Sequence, residues 1–189
     1  ELVLNDPDSA CKNFIQTLKD NLPPQAKIDK IIESDIQDYS EGAADGLFSG
    51  FKIGNSDHKG TIGVITPDIA LCRQCIKDLT DPTSRYFQYP FISCSDCGPR
   101  YSITRKLPFD RPNTSMADFS MCHSCDAEYH EGDKRRFWAQ TLSCKQCGPK
   151  LSLFDSERNR VNTKDPISFV VNALQEGKAI AFKNSGGYQ

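Results

Sequence analysis

Apolar residues recur at helical spacing over Ala10, Phe14, Leu18 and Leu22, with Ser9 in capping position and Pro23-Pro24 beyond. The spacing predicts a first helix that the prolines stop. Leu2-Val3-Leu4 opens the chain as a strand-like segment. Ile28 to Ile36 and Phe48 to Ile53 read as two further strands, separated by the Gly- and Asp-bearing stretch Glu41 to Gly46. Strand, helix, strand, strand makes a small α+β unit over residues 1–60, and one helix cannot cover both faces of a sheet. The unit therefore reads as part of a domain. Gly54 to Gly60 is polar and turn-rich, and reads as a linker.

Residues 67–150 break the pattern: long apolar periodicity is lost, and Pro, Gly, Asp and Cys dominate. Such a segment buries too little apolar surface to offset its chain entropy, so another constraint must fix it. Periodicity returns at Asp165-Pro166, an N-cap and first-turn proline for a helix with Ile167, Val170, Val171 and Leu174 on one face. Gly177 ends that helix. Ala179 to Phe182 then reads as a buried strand, followed by the turn Asn184-Ser185-Gly186-Gly187. Residues 151–189 thus read as the opening of an α/β domain.

Composition agrees with several small units, because 38% hydrophobic content is low for one large core in 189 residues. The formal charge of -2 conceals an asymmetry: residues 1–60 hold six Lys/Arg against eleven Asp/Glu, whereas residues 72–150 hold twelve against nine. No run of ~18 apolar residues could span a bilayer, and no charged start precedes an apolar h-region. A soluble cytoplasmic protein with no membrane partner is expected. The abrupt start at Glu1 and the end at Gln189 read as those of a piece of a longer protein.

Eight of the nine cysteines form C-x2-C-x18-C-x2-C twice. Adding 50 to Cys72, Cys75, Cys94 and Cys97 gives Cys122, Cys125, Cys144 and Cys147. The register extends to Arg85 and Arg135, Phe87 and Phe137, and the two Cys-Gly-Pro triplets at 97–99 and 147–149. This is an internal duplication, with copies over 67–116 and 117–150. Zinc prefers a tetrahedron of thiolates, and two residues between paired cysteines let a tight turn aim both sulfurs at one ion. With four protein ligands per site no position stays open for substrate, so two structural zinc ions are expected.

Disulfides would need an oxidising compartment, which nothing in the sequence indicates. A redox Cys-x2-Cys normally occurs once, beside a βαβ pattern. Pairing stays open between sequential sites, which the repeat favours, and a nested arrangement joining the first pair to the fourth. Two four-cysteine zinc sites of charge -2 each would turn the +3 of residues 72–150 into about -1, which leaves no strong footprint for a nucleic-acid partner.

Other chemistry-bearing residues have plainer readings. His58, His123 and His130 lie in polar stretches or inside a complete cysteine set, where a surface role suffices. Cys11 reads as a small apolar residue of the first helix. Arg85-Tyr86-Phe87 and Arg135-Arg136-Phe137-Trp138 could stack on bases, but their repetition at one place in each copy argues for packing against the zinc turns.

Pro67-Asp68-Ile69-Ala70-Leu71-Cys72, Asp81-Pro82, Tyr89-Pro90-Phe91, Cys97-Gly98-Pro99-Arg100 and Leu107-Pro108-Phe109-Asp110-Arg111-Pro112 resemble the zinc-finger region of the HypF family of hydrogenase-maturation carbamoyltransferases. Thr114-Ser115-Met116-Ala117, Glu128-Tyr129, Arg135-Arg136-Phe137 and Cys147-Gly148-Pro149 continue the resemblance. It implies that residues 1–60 are the C-terminal part of an acylphosphatase-like, ferredoxin-like domain. It also implies that 151–189 begin a YrdC-like domain, with Lys183, Gly186 and Gly187 as nucleotide-binding candidates. The reaction implied for the whole protein cleaves carbamoyl phosphate, activates the carbamate with ATP and passes the carbamoyl group to a C-terminal cysteine of HypE. That group becomes cyanide on the iron of NiFe hydrogenases.

Two departures qualify the resemblance. The family's phosphate-binding loop and its catalytic Asn match nothing here, so no catalytic residue is assigned and the 189 residues alone are expected to be inactive. Trp138 stands where the family often has His. The competing function is a zinc-ribbon module for protein or nucleic acid, without catalysis.

Overall fold

The computed structural model describes residues 8–23, 26–33, 64–184 and 187–189. The chain divides into two units, Glu1–His58 and Lys59–Gln189.

In the first unit, helix α1 runs over Asp8–Asp20. It includes Ser9, which therefore lies within the first turn instead of capping it. The helix closes ahead of the prolines, where the Asn21 amide and side chain both donate to the Thr17 carbonyl, at 3.1 and 2.8 Å. Residues 28–33 form no strand among the described residues, because none of those residues supplies a partner for a ladder. Leu2 to Leu4, residues 34–36, Phe48 to Ile53 and the linker Gly54 to Gly60 lie outside the described residues, and with them most of the ferredoxin-like expectation.

The second unit contains two helices that apolar periodicity does not predict, α2 over Arg73–Thr80 and α3 over His123–His130. Eight residues give barely two turns, too few for a helical repeat to stand out from a cysteine-rich sequence. Each starts directly after the first cysteine of its copy, and each is followed by turns that lead to the second cysteine pair. Tyr86, Tyr89, Ile92, Tyr129, Ala139 and Leu142 pack with the cysteines into one buried cluster that draws on both copies. After the Cys94–Cys97 pair, and before the second set of cysteines begins, run three short 3-10 turns, Tyr101–Ile103, Arg111–Asn113 and Ser115–Asp118. An antiparallel bridge from Thr104 to Thr114 and the exposed Arg105–Asp118 ion pair, at 2.6 Å, draw this connection into a loop.

Beyond the copies, β1 (Leu153–Phe154) pairs antiparallel with β2 (Arg160–Val161), with Leu153 opposite Val161. Asp155 closes their turn by accepting from the amides of Glu157 and Asn159. Helix α4 spans Pro166–Gln175 and is capped by Asp165, which accepts from the Ser168 amide at 3.0 Å. Gly177, at φ +80°, ends it as expected. Its amide donates to Leu174 and the next amide, of Lys178, reaches back to Ala173, a left-handed closure that glycine adopts without cost.

The apolar face of α4 is largely uncovered: Ala173 is buried, whereas Ile167, Val171 and Leu174 are about half exposed, at 45%, 45% and 53%. Ala179 to Phe182 is likewise not a buried strand. Ala179, Ala181 and Phe182 are exposed, and among the described residues the chain pairs here through Phe182 with Gln189, Lys183 with Tyr188 and Asn184 with Gly187. Among the described residues no second layer packs over this face, so these apolar groups stay open to solvent.

Candidate metal centres

The first cysteine pair sits at a helix start and not in the tight turn expected from its spacing. Cys72 is the N-cap of α2, with extended backbone, and its sulfur accepts from the Cys75 amide at 3.4 Å. Cys75 occupies the first turn. The helix N-terminus thus presents unsatisfied amides and a positive dipole end to two groups that become anionic when they bind metal. The second pair does lie in a tight turn, in which Cys94 bridges Cys97 and the Asp96 amide donates to the Cys94 sulfur at 3.4 Å. The Cys94 thiol is held well below the ordinary range by hydrogen bonds from Cys75 and Cys97, against the upward pull of burial. Gly98 follows at φ +95°, and a Cβ there would stand 2.6 Å from Ser93 Cβ, so only glycine fits.

The second copy repeats the plan: Cys122 caps α3, Cys125 is in its first turn, and the Cys147 and Gly148 amides both donate to the Cys144 carbonyl. Cys72, Cys75, Cys94 and Cys97 gather their sulfurs within 4.8 Å of one another, and Cys122, Cys125, Cys144 and Cys147 do the same. The arrangement is sequential, one set per copy. Sulfur–sulfur distances of 3.8, 3.6 and 3.6 Å in the first set and 3.8, 3.8 and 3.6 Å in the second are far beyond a disulfide of about 2.05 Å. They match the edge of a tetrahedron with zinc–sulfur bonds of about 2.3 Å, which is about 3.8 Å. Both sets fit zinc.

The two sets are joined through a pair of arginines. Arg85, in the first copy, donates to Cys125 Sγ at 2.6 Å and to the Ser124 carbonyl at 3.0 Å, both in the second. Arg135, its equivalent fifty residues on, donates to Cys75 Sγ at 2.8 Å in the first. Each also meets an acid of the other copy's helix: Arg85 meets Glu128 at 3.4 Å and Arg135 meets Asp78 at 2.5 Å. Asp78 and Glu128 are themselves fifty apart. Burial would depress the Arg135 guanidinium, but its hydrogen bonds and charge interactions with Cys75 and Cys94 together outweigh that and the pKa rises. Related pairs follow the same exchange, as Ser95 Oγ donates to the Phe137 carbonyl at 2.9 Å and its equivalent Lys145 lies over the Phe87 ring at 5.7 Å. The copies face each other as two subunits of a twofold dimer would, with the same patch used twice.

A family model described as the HypF finger matches residues 71–104 and 121–154, one copy each and again fifty apart. The probable carbamoyltransferase HypF of Methanocaldococcus jannaschii is 44% identical over 189 residues, which covers 99% of this chain and 24% of that protein. The carbamoyltransferase HypF of Synechocystis is 42% identical over 188 residues, 99% of this chain and 24% of its own length. The chain belongs to the HypF family. The fold agrees: a full-length HypF in the phosphate- and nucleotide-bound form superposes with a TM-score of 0.80 at 37% identity, covering 96% of this chain and 23% of that one. The HypF of T. kodakarensis gives 0.79 at 34% identity, covering 96% and 22%. The chain spans about a quarter of the length of these HypF relatives.

Several residues of the HypF finger region emerge only in three dimensions. Arg111, in the connection between the fingers, is buried and donates to three carbonyls, of Gln140 at 2.9 Å and of Leu142 and Phe119 at 2.8 Å each. Burial lowers its pKa, opposed by its electrostatic interaction with nearby Cys147. Arg100 does the same beside the first set, donating to the carbonyls of Cys97, Pro99 and Ser95. A Leu-Pro-Phe-Asp-Arg-Pro run signals a turn, but nothing in its pattern announces a buried arginine.

Other candidates from the sequence fall outside the metal centres. His123 and His130 are exposed on α3, and His130 bonds the Asp126 carbonyl at 2.9 Å. His58 lies outside the described residues, and Cys11 lies on α1. Trp138, at φ +52°, packs on Tyr129 with ring centroids 5.1 Å apart. Its ring joins the aromatic face of α3. Of the nucleotide-binding candidates, Lys183 bonds the Asn184 carbonyl at 3.0 Å, and the Gly187 amide donates to Asn184 Oδ1 at 2.9 Å. Gly186 lies outside the described residues. Among the described residues no helix is long and apolar enough to cross a membrane.

Proposed function

We propose that this chain is the finger-bearing part of a carbamoyltransferase of hydrogenase maturation, and that its two structural zinc ions hold the fingers as one rigid spacer between catalytic domains. The observation that carries this reading is the pair of closed four-cysteine sets locked to each other by Arg85 and Arg135. With all four ligands supplied by protein, a bound zinc supplies folding energy and no open position for chemistry. The family supports the reaction: carbamoyl phosphate is cleaved, the carbamate is adenylated with ATP, and the carbamoyl group passes to the C-terminal cysteine of HypE in the cytoplasm. Catalysis is proposed to reside in the three quarters of the HypF relatives that this chain does not match, and the 189 residues alone are proposed to be inactive.

A zinc module for nucleic acid is the weaker reading, because the arginines and the tyrosine of the two stacking candidates are engaged elsewhere. Tyr86 and Arg136 are buried against each other, and both Arg85 and Arg135 are bonded to sulfur. The direct test is a chimera in which these 189 residues replace the matching quarter of the M. jannaschii relative. Carbamoyl phosphate- and ATP-dependent labelling of HypE should be retained. A folded, two-zinc chimera that fails to label HypE would reject the reading.

A further inference from the structure

The arginine exchange has no parallel in two fingers that merely sit side by side. A guanidinium bonded to a thiolate is worth most when the sulfur carries charge, as it does when a metal has displaced its proton. A four-thiolate zinc site has a net charge of -2, and burial makes that charge costly unless cations or donors compensate it. Here the compensating guanidinium reaches each set from the other finger. Arg135 bonds Cys75, which is wholly buried, and Arg85 bonds Cys125, which is wholly buried too.

Each arginine is in turn placed by its own finger's fold. Arg85 and Arg135 stand three residues before Gln88 and Trp138, two positions held at φ +53° and +52°, whose amides bond the Leu79 and Tyr129 carbonyls at the ends of α2 and α3. Those helices start on Cys72 and Cys122. A finger that is not closed on its cysteines therefore has no fixed place for the arginine its neighbour needs.

We propose that the two zinc sites load cooperatively, with Arg85 as a positioning residue for the Cys122, Cys125, Cys144 and Cys147 set and Arg135 as one for the Cys72, Cys75, Cys94 and Cys97 set. Filling one set fixes the helix and turn that carry its arginine, and so raises the zinc affinity of the other; by reciprocity the second raises the first. The loaded protein is then all-or-none. This inference rests on the zinc fit of the two sets and not on the carbamoyltransferase reading.

The test is a zinc titration of the reduced, zinc-free chain followed by native mass spectrometry, with cysteine alkylation and peptide mapping to identify the empty set. The one-zinc species should stay well below the roughly half of all molecules that two independent equal sites give at half saturation. Arg85→Met should raise that species and leave Cys122, Cys125, Cys144 and Cys147 open to alkylation, with zinc affinity there down about tenfold. Arg135→Met should expose the first set instead. A wild-type titration at the independent-site level overturns the coupling, as does an Arg85→Met chain that loses zinc first from its own finger.

Should the methionine variants misfold, Arg85→Lys and Arg135→Lys keep the charge and should show the same crossed pattern to a smaller degree. An uncrossed pattern in the lysine variants overturns the assignment as surely. Independent uptake of two zinc ions removes the coupling alone, whereas uptake of none removes the zinc fit with it.

Discussion

The Arg136 guanidinium lies over the Tyr86 ring at 3.9 Å, and these two residues hold the same position in the two copies of the finger. Equivalent residues can touch each other only where they approach the axis that relates the copies, so this pair marks the centre of the interface. The two equivalent positions hold a tyrosine on one side and an arginine on the other. That asymmetry lets a cation and a ring meet where two identical residues would compete for one space.

Arg136 also donates to Asp78 of the first finger at 2.6 Å and to Glu128 of its own at 3.0 Å. It is almost fully buried, and both carboxylates depend on it for part of their compensation. Removing the cation leaves each of two partly buried acids with a single guanidinium, Arg135 for Asp78 and Arg85 for Glu128, so Arg136→Met is predicted to destabilise the zinc-loaded chain by about 2 kcal/mol in denaturant unfolding. Arg136→Lys keeps the charge but cannot bridge both acids and the ring, and should recover less than half. A methionine variant as stable as the parent would contradict the placement of this residue at the hub.

Gly148 and Tyr89 give an independent probe of the same interface. Tyr89 Oη bonds Ser143 Oγ at 3.0 Å across the fingers, and burial pushes its pKa up to about 12. A Cβ on Gly148 would collide with that Oη and stand 2.5 Å from Ser143 Cβ. Gly148→Ala should cost about 2 kcal/mol by overpacking. In a Tyr89→Phe background one colliding atom is gone, and the penalty should shrink by about 1 kcal/mol, a coupling that a double-mutant cycle measures. Strict additivity would mean that the two residues do not meet.

The metal sets were legible because ligand chemistry is local: spacing, residue type and duplication are all one-dimensional facts. Arg85 and Arg135 were visible as a repeated feature expected to pack against the zinc turns, and they do, but each against the turn of the other copy. A fifty-residue offset cannot say whether a contact closes within a repeat or between repeats. Helices α2 and α3 were missed because eight residues hold only one core-packed i, i+4 pair each, Cys75 with Leu79 and Cys125 with Tyr129, too little to read as a helical repeat in a segment dominated by its cysteines. At the other end, the stripe Ile167, Val171 and Leu174 correctly announced α4, yet its face is not covered here. Periodicity reports which face seeks burial, and the covering layer must come from elsewhere.

Arg111 ties the connection between the fingers to the second one through three carbonyls, which the two guanidinium nitrogens reach together and the point-like ammonium of a lysine would not. Arg111→Met withdraws those donors from a buried site and is predicted to cost about 2 to 3 kcal/mol. The effect should be local. Limited proteolysis should cut within residues 105–120 of the variant while both fingers retain zinc. Cleavage spread evenly over the chain would mean that Arg111 supports the whole fold and not this strap.

Metal removal tests the largest energetic claim. Elemental analysis of the purified chain is predicted to give two zinc ions, and a stoichiometry near one, or iron in their place, would refute the two-site fit. Helices α2 and α3 have eight residues each, too short to persist alone, and their N-terminal caps are the candidate ligands Cys72 and Cys122. Chelation should therefore abolish both, whereas α4, capped by Asp165 and closed by Gly177, depends on no metal ligand. The expected result is a partial loss of helical circular dichroism together with exposure of the buried Tyr86, Tyr89 and Tyr129. Acid should do the same, because protons compete with zinc for the thiolates: affinity falls as pH falls, and neutralisation with zinc present should restore the signal. Full retention of helix and of tyrosine burial in the metal-free chain would show that apolar packing alone holds the fingers, and would leave zinc without the structural role assigned to it.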